Sequence, residues 1–300
     1  TRNHSSAASD VYKRQGLYKN RLMMLDILHN NDWERPIYFT GGSYDDSEYF
    51  WMKDYLQLDG LVYKLVPIKT PIDPNNPYQM GRIDTDIMYD IVMKWDWGNS
   101  DSKDIYHDPE TRKNSISFRS NINRLAETLI DEGQKEKAIT VLDLAMEKMP
   151  IETFGYYSLV IPIAAAYYRA GALDKAQKIV TTIASGYEEY MRYYAQWNSD
   201  EQLMLMEDIV ANVERYKSLL TEIIKAKDLK SMTALYDSFF ESIMPFSYIY
   251  GKYDFYTQLT PFVAALYDSN QVEFARDLST EIAQQYICLL YTSDAADEWL

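Results

Sequence analysis

Four acids stand close enough in the chain to share a proton or a cation, Asp45 with Asp46 and Asp84 with Asp86. Paired carboxylates act as general acid and base or as oxygen ligands for hard metals. Asp45 and Asp46 are adjacent, so their side chains diverge, and spacing fixes no histidine or third acid beside them. Asp84 and Asp86 open an apolar-periodic run, where carboxylates satisfy free helix amides and the dipole. Capping is the role this position favours. No stretch offers the alternating ligands and central glycine of a calcium loop. His29 closes a predicted helix, and His107 precedes Asp108-Pro109 in a loop, so the two are far apart in sequence. Gly41-Gly42-Ser43 follows a strand-like run and reads as a turn. It lacks the lysine and serine of a Walker loop. The spacing therefore yields no catalytic set, no metal site and no cofactor.

Aromatic residues are the second candidate chemistry. Trp51, Tyr55, Trp95 and Trp97 have rings suited to stacking on sugars, or to closing a seam between two parts of the molecule; the seam is the preferred reading. The chain holds 27 tyrosines, side chains that bury a ring yet keep a polar end. Tyr156, Tyr157, Tyr167 and Tyr168, with Tyr193 and Tyr194, are candidates for a concave face, and Tyr157, Tyr167 and Tyr168 for its partner contacts. Packing between successive helices is their competing role.

These residues must be held by elements of two kinds. Leu17–His29 has helical apolar spacing, Pro36–Thr40 is strand-like, Ser47–Leu58 reads as a second helix, and Leu61–Ile68 as a second strand. Together they predict a small α/β layer with few strands and parallel pairing open. Prolines 71, 74 and 77 mark a loop, and Asp84–Lys94 predicts another helix.

From about Ser115 the periodicity is helical. Asn121–Pro150 and Tyr156–Tyr187 share one pattern: Ala126 and Ala164, then Leu129 and Tyr167, then Gly133 and Gly171, then Ala138 and Ala176. This is the spacing of a tetratricopeptide-like helix-turn-helix unit, which covers its apolar face only by stacking on neighbours. The two glycines are 38 residues apart where the repeat has about 34, so four residues are inserted, near Glu152–Gly155. A weaker unit, Phe255–Tyr286, carries Val263, Leu266, Asn270 and Ala275 at the same offsets, with asparagine at the turn. Between them, Glu201–Ala226 and Leu229–Ile243 are amphipathic stretches. The fold class is α+β: a mixed front domain over 16–110, then an antiparallel helical repeat stack over 115–287. A helical bundle without true repeats is the alternative.

Both ends read as foreign to the domain. Ser9–Gln15 can be coded TCA GAT GTG TAT AAG AGA CAG, and the opposite strand one base out of frame gives Cys-Leu-Leu-Tyr-Thr-Ser-Asp, which is Cys288–Asp294. Residues 1–15 and 288–300 are therefore expected to be translated adaptor and are set aside. The tails carry +2 and −3, so 16–287 keeps −14 of the total −15 and has no cysteine. Such acidity excludes a nucleic-acid backbone and disfavours an anionic membrane surface as partner. No run reaches the eighteen apolar residues of a bilayer span.

The front stretches LMMLDILHNNDWERPIYFTGG (22–42), DYLQLDGLVYKLVPI (54–68) and GRIDTDIMYDIVMKWDWGN (81–99) resemble a family of large bacterial membrane proteins, and the RLAETLIDEG repeat is similar to the same family. These are protein O-mannosyltransferase-like proteins found largely in Bacteroidetes. The resemblance implies a membrane-spanning glycosyltransferase portion, absent here, followed by a non-catalytic region facing the periplasm. It implies as partners the membrane-embedded part of the parent and an acceptor polypeptide or glycan. The rival expectations are a soluble glycan-processing enzyme using Asp45 and Asp46, and a free helical-repeat adaptor.

Overall fold

The computed structural model describes residues 19–40, 50–71, 80–250 and 259–297. It divides into two units, one through Ile91 and one from Val92. The chain is α+β, mainly helical, with a small sheet at the front.

The front unit starts with α1 (Lys19–Asn31) and β1 (Tyr38–Thr40). A 3₁₀ segment, Phe50–Tyr55, leads directly into β2 (Leu56–Asp59), and β3 (Val62–Leu65) follows. The sheet has three strands in the order β1-β3-β2, all pairs antiparallel, with Tyr38 opposite Lys64 and Asp59 opposite Val62. The parallel option is thereby corrected. Only Gly60 and Leu61 join β2 to β3, too short for a crossover, and Gly60 has the positive φ of 69° that tight hairpin turns need. The helix expected over Ser47–Leu58 is also corrected. Its aromatic half forms the 3₁₀ segment, and Leu56–Asp59 is drawn into the sheet. Its other edge is covered by the backbone of Arg82, which exchanges bonds of 2.8 and 2.9 Å with Leu58 and Leu56. Pairing on both sides outweighs local propensity here. Met52, Leu56, Leu65 and Met80 form the small core, flanked by Met24, Leu28 and Phe39. α2 (Thr85–Met93) then begins as expected at Asp84, whose carboxylate accepts from the Ile87 amide at 3.3 Å.

The second unit is built of helix pairs. α3 (Pro109–Asp131) is capped by Asp108, which accepts from the amides of Glu110 and Thr111, and has Pro109 in its first turn. α4 (Lys135–Lys148) folds back on it. The expected insertion is α5, a single turn over Ile151–Phe154, ended by Gly155 at φ 63°. α6 (Ile161–Ala170) and α7 (Leu173–Tyr194) form the second pair. After α8 (Ser199–Met204), α9 (Met206–Lys225) and α10 (Leu229–Ile243) form a pair that the glycine-and-alanine pattern did not reveal. α11 (Thr260–Asp268) and α12 (Val272–Asp297) form the last described pair.

One turn recurs in all four pairs. Gly133, Gly171, Lys227 and Asn270 adopt left-handed φ values of 79°, 88°, 60° and 60°. Each donates its amide to the carbonyl three residues back, and the next residue donates to the carbonyl five back: Gln134 to Leu129, Ala172 to Tyr167, Asp228 to Ile223, Gln271 to Leu266. This is a Schellman closure of the first helix. Five residues beyond each turn, Ala138, Ala176, Met232 and Ala275 are fully buried against the partner helix.

Arg119 locks the insertion in place. Its side chain is fully buried and donates to the carbonyls of Gly155 at 2.6 Å and Met149 at 2.7 Å, under the ring of Phe154. A guanidinium presents several donors in a fixed fork, and here the fork gathers the carbonyls left open where α4 ends and α5 turns. Burial lowers its pKa to about 10, so it remains charged at neutral pH.

Candidate functional site

A polar cleft of the second unit lies where the chain departs from the plain repeat. α7 spans 22 residues against 14 for α4. Its added turns carry Tyr187, Tyr190 and Tyr194 on one face, at helical spacings of three and four. Opposite stand the segment after α5, with Tyr156 and Tyr157, and the start of α9, with Asp208, Asn212 and Arg215. Arg112 from the first turn of α3 completes the walls of a groove of about 450 Å³.

Gly186 fixes the geometry. A glycine inside a helix costs about 1 kcal/mol relative to alanine. Here a Cβ would stand 2.5 Å from the Tyr157 ring, so only glycine lets that ring lie flat against α7. Tyr157 thereby meets Tyr187 edge-on at 5.6 Å and Tyr190 at 6.0 Å. Behind them Tyr187 stacks on Tyr216 at 5.7 Å, and the Tyr216 hydroxyl donates to Glu188 at 2.9 Å. The floor is therefore rigid and aromatic, and it merges with the helical core through Phe239.

The polar ends of the groove differ in how they are satisfied. Asn212 donates to the Tyr194 hydroxyl at 3.4 Å and to the Asp208 carbonyl at 2.9 Å. Arg215 reaches Asn212 only at 3.5 Å. The Tyr187 hydroxyl is buried and has no hydrogen-bond partner among the described residues. Burial raises its pKa well above the usual phenol value, and the nearby Arg215 charge works against that rise. Burial likewise raises the Tyr157 phenol, helped by Tyr190, Glu189 and Glu152. All these phenols are neutral at ordinary pH, so they donate as well as accept.

Of the three tyrosines expected to form a binding face, Tyr157 opens on this groove. Tyr167 and Tyr168 do not line it. Tyr167 is buried, and its hydroxyl donates to Asp143 at 2.8 Å; it borders a smaller cavity of about 320 Å³ with Lys175 and Lys178. Lys175 also bonds Asp143, so the polar groups of that cavity largely satisfy one another. Tyr168, half-buried, donates to Asp228 at 2.8 Å. Asp228 also accepts from Gln177 at 2.9 Å and from the Ser231 hydroxyl at 2.7 Å. Burial pushes its carboxyl up, but those bonds together outweigh it and hold the pKa below the usual aspartate value.

Trp95 and Trp97 meet each other at 5.4 Å and close on Phe118 of α3 at 5.1 and 5.3 Å. The Trp51 backbone lies in the 3₁₀ segment, and its side chain falls outside the described residues, as do Asp45, Asp46 and the Gly41-Gly42-Ser43 turn. His107 lies against the Phe154 ring at 4.9 Å, and His29 sits in the last turn of α1. No group of three or more metal-ligating side chains gathers among the described residues. Among them, too, no helix is long and apolar enough to cross a membrane.

Sequence reasoning missed Tyr187, Tyr190, Arg112 and Arg215. The available signal was the unusual length of α7, whose tyrosines continue past the point where the repeat should end, together with a glycine in mid-helix.

A family model described as TMEM260-associated domain 2 matches residues 5–87, less than a third of the chain. The match is consistent with a domain of a membrane-protein family. No curated protein and no solved structure matches this chain.

Proposed function

We propose that this chain is a non-catalytic binding region of a membrane-bound glycosyltransferase-like protein, and that the tyrosine groove holds what the parent enzyme acts on. The observation that carries this reading is the groove itself. Its floor rings, Tyr157 and Tyr187, are held by packing, and among the described residues its wall includes a buried hydroxyl without a partner and its side chains make no nucleophile-base pair. Preorganised aromatic surface loses little entropy on binding. The match at the front to a domain associated with a TMEM260 protein supports a membrane-bound parent. The motifs of residues 22–42, 54–68 and 81–99 support the protein O-mannosyltransferase-like assignment of that parent, with this region on the periplasmic side and the membrane-embedded portion as its immediate partner.

The test is kinetic. In the parent protein, Tyr190→Ala should raise KM for the acceptor with kcat nearly unchanged, the behaviour of lost ground-state binding. Tyr190 is nearly half exposed, so the change leaves the stack folded. A fall in kcat at saturating acceptor would make the groove part of the chemistry and sink the binding-region reading. For placement, a cysteine put at the exposed Glu136 should react with an impermeant label without opening the inner membrane. Labelling only after permeabilisation would move the region to the cytoplasm.

A further inference from the structure

Among the described residues two guanidiniums and one acid line the groove, in a chain that is acidic overall, and Glu152 and Glu189 stand near enough to act on Tyr157. The protein carries −15, yet Arg112 and Arg215 enter the groove without a carboxylate partner among the described residues. Several cations in the same unit are paired, among them Arg169 with Asp131, Lys175 with Asp143 and Lys148 with Asp101. Among the described residues Asp208 is the acid that lines the groove, and no ion pair joins it to either guanidinium. Arg215 and Tyr187 line the same groove, and the buried Tyr187 hydroxyl has no hydrogen-bond partner among the described residues. A buried hydroxyl left alone costs about 1–3 kcal/mol, a cost that a ligand oxygen would relieve. Two guanidiniums and a phenol donor form the set that recognises a carboxylate or phosphate, the guanidinium in bidentate fashion.

The rest of the groove specifies what bears that oxyanion. Tyr190 presents an exposed ring, and its hydroxyl and that of Tyr157 have no hydrogen-bond partner among the described residues. Flat rings with outlying hydroxyls suit a ligand that is apolar on its faces and hydroxylated at its edges. A pyranose ring has that construction. A cleft of about 450 Å³ is of small-ligand size. We propose that the groove binds an anionic saccharide, with its carboxylate or phosphate at Arg215 and Tyr187, and a sugar face against Tyr190. The proposal rests on the groove being the ligand site and adds the class of ligand.

The test uses the full chain and three probes, followed by titration calorimetry: a galacturonic acid trisaccharide, its neutral methyl ester, and a glutamate decapeptide. Arg215→Gln and Tyr190→Ala alter the groove, while Arg276→Gln, at an exposed site on α12, controls for overall charge. The expected result is binding of the acidic trisaccharide, weakened about tenfold or more by either groove change and by esterification, and untouched by Arg276→Gln. Equal binding of the ester, or preference for the decapeptide, with loss in Tyr190→Ala would overturn the anionic-sugar proposal and leave the groove as a site. If no probe responds to either groove variant, or Arg276→Gln weakens binding as much, the proposal and the reading beneath it both fail. Phosphate-bearing mannose, added as a competitor, separates a phosphate from a carboxylate as the preferred oxyanion.

Discussion

The first two helix pairs of the stack turn on glycine, and the last two turn on Lys227 and Asn270. The backbone does the same thing in all four, down to the two amide bonds that close each first helix. The difference shows where the specificity of such a turn resides. The hydrogen bonds and the buried residue five positions on define it, and the turn residue only has to tolerate a left-handed φ. Glycine tolerates it freely, asparagine well, and lysine at a cost. A second contrast lies in what the pairs carry. The step from the first to the second carries α5 and its buried arginine clamp, and the turn inside the third carries Asp228, an acid where the other turns have Gln134, Ala172 and Gln271.

The largest expected effect is on the clamp. Arg119→Met keeps the apolar stem and removes the donors, leaving the Gly155 and Met149 carbonyls without them. The stack should lose about 3 kcal/mol, measured by urea unfolding, since bonds to a buried charge are worth about 1.5–3 kcal/mol each and an abandoned acceptor adds desolvation. A loss below about 1 kcal/mol would mean that α5 is held by Ile151 and Phe154 alone.

Next is Gly171→Ala. No atom lies within reach of a Cβ there, so the cost should come from the left-handed φ of 88° alone, about 1–2 kcal/mol. A neutral result would show that the turn can close with another φ.

Lys227→Gly runs the comparison backwards. Relief of the strained φ is partly offset by the greater freedom of glycine in the unfolded chain, giving a net gain of about 0.5–1 kcal/mol. Asn270→Gly should change stability by only a few tenths, because asparagine already accepts this conformation at roughly no strain. Thermal melts of the two variants side by side check the ranking, and a larger gain at Asn270 would reverse it.

The smallest effect is the pH response of the third turn. The Asp228 carboxyl titrates below its unfolded value of about 3.9, so its contribution is complete above that pH and is lost as pH falls through the folded value. Acidification should therefore loosen the α9–α10 pair more than the others. Asp228→Asn should flatten the difference, and hydrogen exchange of α10 amides is the measurement. Equal acid sensitivity in the variant would remove Asp228 as the cause.

The legible part of the fold was the part with small residues at fixed offsets. Gly133, Gly171, Ala138 and Ala176 announced two pairs, and counting between the glycines located the insertion that became α5. The α9–α10 pair escaped because Lys227 and Met232 fill the same positions with ordinary-looking side chains. β2 escaped because Leu56–Asp59 is buried throughout and has no alternation to betray it. In the groove, Tyr156, Tyr157 and Tyr194 could be singled out from sequence. Tyr187, Tyr190 and Arg215 could not, since only the length of α7 and its packing on α9 bring them together.

Tyr167 and Tyr168 are neighbours in sequence, and their hydroxyls pull in opposite directions. One reaches back to Asp143 on α4, and the other reaches forward to Asp228 at the head of α10. A helical turn sets successive side chains about 100° apart, so a single peptide step on α6 ties three helix pairs into one load path. In a linear array, stability is a sum of unit and neighbour terms, and melting normally creeps inward from an end. Here the second pair acts as a coupling pin. A fray that reaches it must break a bond to each neighbour, so melting from α3 to α10 is expected to be more cooperative than in an array without such a pin.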